Sequence, residues 1–171
     1  MAKVGVYLCH CGENVKGAID IEELKKYVET LPDVALVRNY VFMCSDPGQD
    51  LIKEDIKSGA VDRVVVAACT PRTHGPIFKQ AVEDAGLNGY FLEMANIRDQ
   101  DSWPHWHNKE GALEKAKRLI RSAIAKVRLN EPLEDRYGDM EKSVLIIGGG
   151  IAGMFAALDL ANMGIKVYLV E

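Results

Sequence analysis

The run Val64-Val65-Val66-Ala67-Ala68 constrains the fold more than any other stretch. Five apolar residues in succession leave no polar face, so a strand built from them must be covered on both sides, as parallel strands are. Parallel neighbours need long crossover connections, usually helices. The chain supplies them. Val4–Leu8 is β-branched and aromatic and reads as a first strand. Asp20 caps a helix over Ile21–Thr30, with Ile21, Leu24, Tyr27, Val28 and Leu31 at helical spacing. Leu31-Pro32-Asp33 turns the chain into a second strand, Val34–Met43, which ends at Cys44. Ser45-Asp46-Pro47 opens a helix that runs to Lys57. The Arg63–Ala68 strand ends at Cys69, and Thr70–Thr73 leads into a helix over Gly75–Ala85. Tyr90–Ala95 is a fourth strand, and Glu110–Arg128 is rich in strong helix formers.

This β-α alternation predicts an α/β fold with a doubly wound, mainly parallel sheet and helices on both faces. Sequential parallel strands share a direction, so Cys9, Cys11, Cys44 and Cys69 are expected along one edge of one sheet, where ligands of such folds usually bind. Residues 1–129 form this domain. Residues 130–142, polar and turn-rich, read as a linker, and 143–171 as the incomplete start of a second, Rossmann-type domain.

Length and composition agree with one domain plus a piece of another. The chain has 171 residues, 48% apolar and 27% charged, which is ordinary for a globular protein with a real core. A net charge of −4 and the absence of any Lys/Arg block exclude an electrostatic nucleic-acid binder. No apolar run approaches the roughly 20 residues of a membrane span. The start runs straight into a strand without the pattern of a signal peptide, so the expected location is cytoplasmic. In a reducing compartment four cysteines are metal ligands, catalytic thiols or core residues rather than disulfides.

Two motifs carry chemistry. Gly148-Gly149-Gly150-Ile151-Ala152-Gly153 follows an apolar strand, opens a helix, and precedes a second strand ending in Glu171. That context makes it a dinucleotide fingerprint. Gly148 serves the tight turn, Gly150 the approach of a pyrophosphate, and Gly153 the close packing of helix on strand. The N–H groups at Ile151 and Ala152 face the phosphates at the helix start, and Glu171 would accept from the ribose hydroxyls. A single βαβ unit cannot enclose a dinucleotide and would expose a large apolar face. The chain is therefore expected to be an excised piece or to be completed by another polypeptide.

The second motif is the cysteine set. Cys9-His10-Cys11 with the distant Cys44 and Cys69 matches no compact ferredoxin run, and it is not the Cys-x-x-Cys of thioredoxins. Four thiolates at one sheet edge suit a [4Fe–4S] cluster. Zinc takes the same ligands. A reactive thiol and buried, unreactive core cysteines are the remaining readings. The N–H groups of Asp46–Gln49 and Thr70–His74 either tune such a site or simply cap helices. Trp103-Pro104-His105-Trp106-His107 reads as a partly packed loop or an interface anchor.

Taken together and in order, Cys9-His10-Cys11-Gly12, Cys44-Ser-Asp-Pro-Gly-Gln49, Ala68-Cys69-Thr-Pro-Arg72, Glu93-Met-Ala-Asn96-Ile-Arg98 and the glycine motif resemble the start of the A-subunit family of heterodisulfide reductase. The resemblance covers essentially the whole chain. It implies an iron–sulfur flavoprotein segment: a cluster-bearing N-terminal domain on Cys9, Cys11, Cys44 and Cys69, then the opening of an FAD domain. It also implies electron exchange among a hydrogenase or formate dehydrogenase, ferredoxin and the other heterodisulfide reductase subunits. A second polypeptide, or a second copy in a homodimer, would complete the flavin site. The rival expectation is a redox-inert docking module or a zinc-stabilised domain.

Overall fold

A computed structural model describes residues 2–171. The chain divides into two compact units, one ending at Leu133 and the other spanning Glu134–Glu171. The first is built on a four-stranded sheet of β1 (Val4–Cys9), β2 (Val34–Tyr40), β3 (Arg63–Ala68) and β4 (Leu92–Asn96), in the order β2-β1-β3-β4. Every pairing is parallel. Between the strands lie α1 (Glu13–Lys16), α2 (Ile21–Glu29), α3 (Asp46–Lys57) and α4 (Pro71–Asp84), and α5 (Lys109–Val127) follows β4. Helices α2 and α5 pack together on one face, and α3 and α4 together on the other. The doubly wound sheet expected from the alternation is the observed one.

The central strands are buried throughout, which is why β3 tolerates no polar residue after Arg63. One polar network is drawn into this core. The Tyr7 hydroxyl donates to Asp55 at 3.1 Å, and Arg38 forks onto the same carboxylate through two bonds of 2.6 Å.

Three local expectations are corrected. The second strand stops at Tyr40 rather than Met43, because its only neighbour, β1, ends at Cys9, directly opposite Tyr40. Beyond that point β1 gives way to the loop of Cys11 and Gly12, and the chain turns, the Phe42 carbonyl accepting from the Ser45 N–H at 2.9 Å. Helix α4 begins at Pro71 rather than Gly75. Thr70 caps it and Pro71 takes the first turn, while Pro76 is carried inside, where it forfeits one helical bond. The fourth strand begins at Leu92, after a 3₁₀ turn over Gly89–Phe91.

Residues 130–142 hold neither helix nor strand. In the second unit β5 (Ser143–Ile147) and β6 (Lys166–Val170) pair in parallel and are joined by α6 (Ile151–Asn162). No residue of α6 is buried, and Ile147, Phe155 and Leu158 stand 81%, 60% and 61% exposed. The large apolar face expected of a lone βαβ unit is present. Among the described residues no helix is long and apolar enough to cross a membrane.

Candidate functional site

The strand order sets the position of the site. From β1 the chain moves outward to β2, then returns across β1 to β3, so the order reverses between β1 and β3. At such a switch point the loops leaving the two strands part and open a crevice at their carboxyl ends. Cys9 closes β1, Cys11 lies in the loop beyond it, and Cys69 follows β3 directly. Cys44 arrives from the turn after β2. All four line one cavity of about 210 Å³, together with His74, Arg98 and the rings of Phe42 and Phe78.

The sulfurs are close and well supplied with donors. Cys11 Sγ lies 3.3 Å from Cys9 Sγ. Cys9 Sγ also accepts the backbone N–H of Cys11 at 3.3 Å and that of Met43 at 3.4 Å. Cys11 sits in the left-handed region at φ 49° and Gly12 follows at φ 61°, a tight reversal that folds the loop back over the end of β1. On the opposite wall His74 Nδ1 lies 3.0 Å from Cys69 Sγ, one turn into α4. Cys9, Cys11 and Cys69 are buried, and Cys44 is half-buried.

This geometry separates the four thiols electrostatically. The Cys9 thiol is drawn down to about 7, chiefly by Cys11 donating to it and then by the two backbone N–H groups, against the cost of burial. Cys69 is drawn down to about 5, first by Cys11 and then by His74. Cys11 is pushed up by its interactions with Cys69 and Cys9 and by burial, and burial pushes Cys44 up. Cys9 and Cys69 are thus the thiols whose anionic form the neighbouring donors favour. Among the described residues no three His, Cys, Asp or Glu side chains are grouped as ligands of a single metal ion.

The end of the fourth strand contributes a turn that no sequence pattern announces. Residues Arg98–Ser102 form one turn of π-helix, with the Ser102 N–H donating to the Ile97 carbonyl at 3.0 Å and the Trp103 N–H to that of Arg98 at 3.1 Å. Such turns recur at functional sites. This one places Arg98 on the cavity wall and turns Asp99 onto the Thr70 N–H at 2.9 Å, binding the end of β4 to the loop that carries Cys69. Nothing in the apolar pattern marks an i→i+5 turn. The one signal is Asn96, whose side-chain oxygen accepts the Asp99 N–H at 2.9 Å. Helix α1 is likewise absent from the sequence-based expectation, and it puts Asn14 on the same wall, its side-chain oxygen accepting from the Trp103 indole at 3.1 Å.

In the second unit the glycine loop has the shape its spacing implies. Gly148 has φ 108°, a conformation that disfavours any side chain. A Cβ on Gly153 would run into the Gly148 carbonyl, whereas one on Gly150 would meet open space. That space lies at the start of α6, where Ile151 and Ala152 present the first helical turn. The Glu171 carboxylate accepts the Gly149 N–H, so it lies against the loop. These residues fit a dinucleotide pyrophosphate at the helix N-terminus.

Comparison with known proteins finds similar sequences for both units. The FAD binding domain family model matches residues 143–171. Over 169 residues, 99% of the chain, the sequence is 72% identical to a heterodisulfide reductase A-subunit-like protein of Archaeoglobus profundus, covering 24% of that protein. It is 54% identical to the A subunit of the H(2):CoB-CoM heterodisulfide,ferredoxin reductase of Methanothermobacter marburgensis, covering 26% of it. Against the A subunit of the ferredoxin/F(420)H(2)-dependent CoB-CoM heterodisulfide reductase of Methanosarcina acetivorans the identity is 48%, over 21% of that protein. The chain spans about a quarter of the length of the curated relatives it matches. Over that quarter, the chain is similar along nearly its whole length to the A subunits of heterodisulfide reductases.

Proposed function

We propose that the chain is an electron-transfer segment of a heterodisulfide reductase A subunit, with a [4Fe–4S] cluster held by Cys9, Cys11, Cys44 and Cys69 in its first unit and the opening of an FAD site in its second. The observation that carries this is the meeting of the four cysteines, drawn from three sheet-end loops, round one cavity of about 210 Å³ at the switch point. Four soft thiolates are the standard ligand set of such a cluster. Zinc takes the same four thiolates, and metal analysis separates the two. The cluster, when bound, supplies a one-electron store. The chain's own part is to hold anionic sulfur: the N–H groups of Cys11 and Met43 donate to Cys9, His74 stands against Cys69, and Phe42 and Phe78 add apolar lining.

For the flavin, Gly148, Gly150, Ile151, Ala152 and Gly153 would cradle the pyrophosphate, and Glu171 would turn from the Gly149 N–H to the ribose hydroxyls. The bare apolar faces of β5, α6 and β6 are where further polypeptide, from the same subunit or a second copy, would pack to complete that site. The names of the relatives point to hydrogen, formate, ferredoxin or F(420)H(2) as electron sources and the CoB–CoM heterodisulfide as acceptor for the assembled complex. The chain alone does not carry out that reaction.

The visible spectrum of the anaerobically purified chain tests this reading. The expected result is a broad thiolate-to-iron absorption that bleaches on reduction and fades in each single Cys→Ser variant. A colourless protein containing zinc, or no metal, would support a structural or docking domain instead.

A further inference from the structure

The arginine–carboxylate pairs Arg38–Asp55 and Arg98–Asp99 are used differently. Arg38 is fully engaged, with two donors on Asp55 at 2.6 Å. Arg98 is not. Its Nε stands 3.4 Å from Asp99 and is a buried donor without a hydrogen-bond acceptor, while its nearest fork contact to the same carboxylate is 3.5 Å. The Asp99 carboxylate is committed elsewhere, to the Thr70 N–H at 2.9 Å. The guanidinium is held by the Trp103 ring, 4.7 Å from its centroid, and it lines the cysteine cavity within electrostatic reach of Cys11 and Cys69. A buried N–H donor without an acceptor is costly, and native proteins rarely keep one idle. The cavity that Arg98 lines is walled by the four cysteines.

We propose that Arg98 is the charge-compensating and hydrogen-bonding group of the cysteine cavity, set by the π-turn to offer its Nε–H to anionic sulfur held there. The inference rests on the cluster reading above and assigns a residue to it. An iron–sulfur cubane with four thiolate ligands is a net anion, and it gains one further negative charge on accepting an electron. A fixed cation therefore stabilises the reduced form more than the oxidised one and raises the potential. Asp99 opposes this effect only in part, because its own charge is shared with the Thr70 N–H at the start of α4. His74, the other polar group on the wall, faces Cys69 and is not placed to substitute.

Redox titration followed by electron paramagnetic resonance, on the anaerobically purified wild-type chain and its Arg98→Gln and Arg98→Lys variants, tests the assignment, with iron and acid-labile sulfide counted in each. Arg98→Gln is expected to lower the reduction equilibrium constant about tenfold, ~59 mV for a one-electron couple, and Arg98→Lys to recover at least half of that shift. Loss of iron from the Gln variant with retention in the Lys variant supports the same role. An unchanged potential in a fully loaded Arg98→Gln chain overturns the role of Arg98 and leaves the cluster reading standing. Equal loss of iron from both variants also overturns it. A wild-type chain without iron and sulfide overturns both.

Discussion

Asp99 accepts the backbone N–H of Thr70 at 2.9 Å, across 29 residues of sequence, and this bond ties the end of β4 to the loop that delivers Cys69. It also leaves Arg98 half-released toward the cavity. Replacing Asp99 by Ala orphans the Thr70 N–H and frees Arg98. The expected cost is about 1–3 kcal/mol, as for other hydrogen bonds to charged groups. Urea unfolding of the variant beside wild type reads it directly, and Asp99→Asn should recover part of the loss.

The Tyr7–Asp55–Arg38 network predicts a second, independent effect. Tyr7 is fully buried and its hydroxyl has Asp55 as partner, so Asp55→Ala leaves it unsatisfied. Arg38 is 45% exposed at its side chain and can rehydrate. The loss is therefore dominated by the orphaned hydroxyl, about 1–3 kcal/mol. A double variant that also carries Tyr7→Phe should be less destabilised than Asp55→Ala alone, and a double-mutant cycle in urea measures the difference.

Asp101 makes the stability pH-dependent. Both its carboxylate oxygens are buried without a hydrogen-bond donor, and burial pushes the group up from 3.8 to about 6, with His105, at 3.5 Å, and Lys115 opposing. The folded chain binds this proton more tightly than the unfolded chain does. Stability from this group is therefore fully present below about pH 4 and falls as the pH rises through 6. The stability difference between wild type and Asp101→Asn, read from urea unfolding, should widen in favour of the variant between about pH 4.5 and pH 7, by roughly 2 kcal/mol. A constant difference over that range would remove Asp101 as the titrating group.

How much of this was legible in the sequence depended on whether the signal was local. The Val64–Ala68 run dictated a strand covered on both faces, and four β-α alternations dictated parallel order, so the meeting of Cys9, Cys11 and Cys69 at one edge followed without any contact information. The length of β2 did not follow. Val41 and Phe42 have strand-forming side chains, and only the ending of β1 opposite Tyr40 explains why they turn instead. Thr70 was legible as a helix cap, but Gly75-Pro76 moved the expected helix body four residues too far along the chain. The π-turn over Arg98–Ser102 had Asn96 as its one local signal, because the other partners of its side chains, Thr70 and Asn14, lie far away in sequence. Arg98 was therefore visible as a motif residue but not as part of the cavity.

The glycine loop gives a prediction for the longer protein. A Cβ at Gly153 would meet the Gly148 carbonyl, which would lift α6 off β5 and distort the phosphate cradle. Gly153→Ala in the full-length protein should lower flavin content by roughly tenfold or more, while the cysteine-bearing unit keeps its fold. The isolated chain should not retain FAD tightly, since its βαβ unit offers only one wall of a site. Flavin fluorescence after gel filtration checks both statements.

The central claim is that Cys9, Cys11, Cys44 and Cys69 hold an iron–sulfur cluster. Its most direct test is a count of iron and acid-labile sulfide in the anaerobically purified chain, beside a variant with all four cysteines changed to serine. The account predicts about four iron and four sulfide per wild-type chain and none in the variant. Wild-type protein with zinc in place of iron, or with the same metal content as the serine variant, would contradict it.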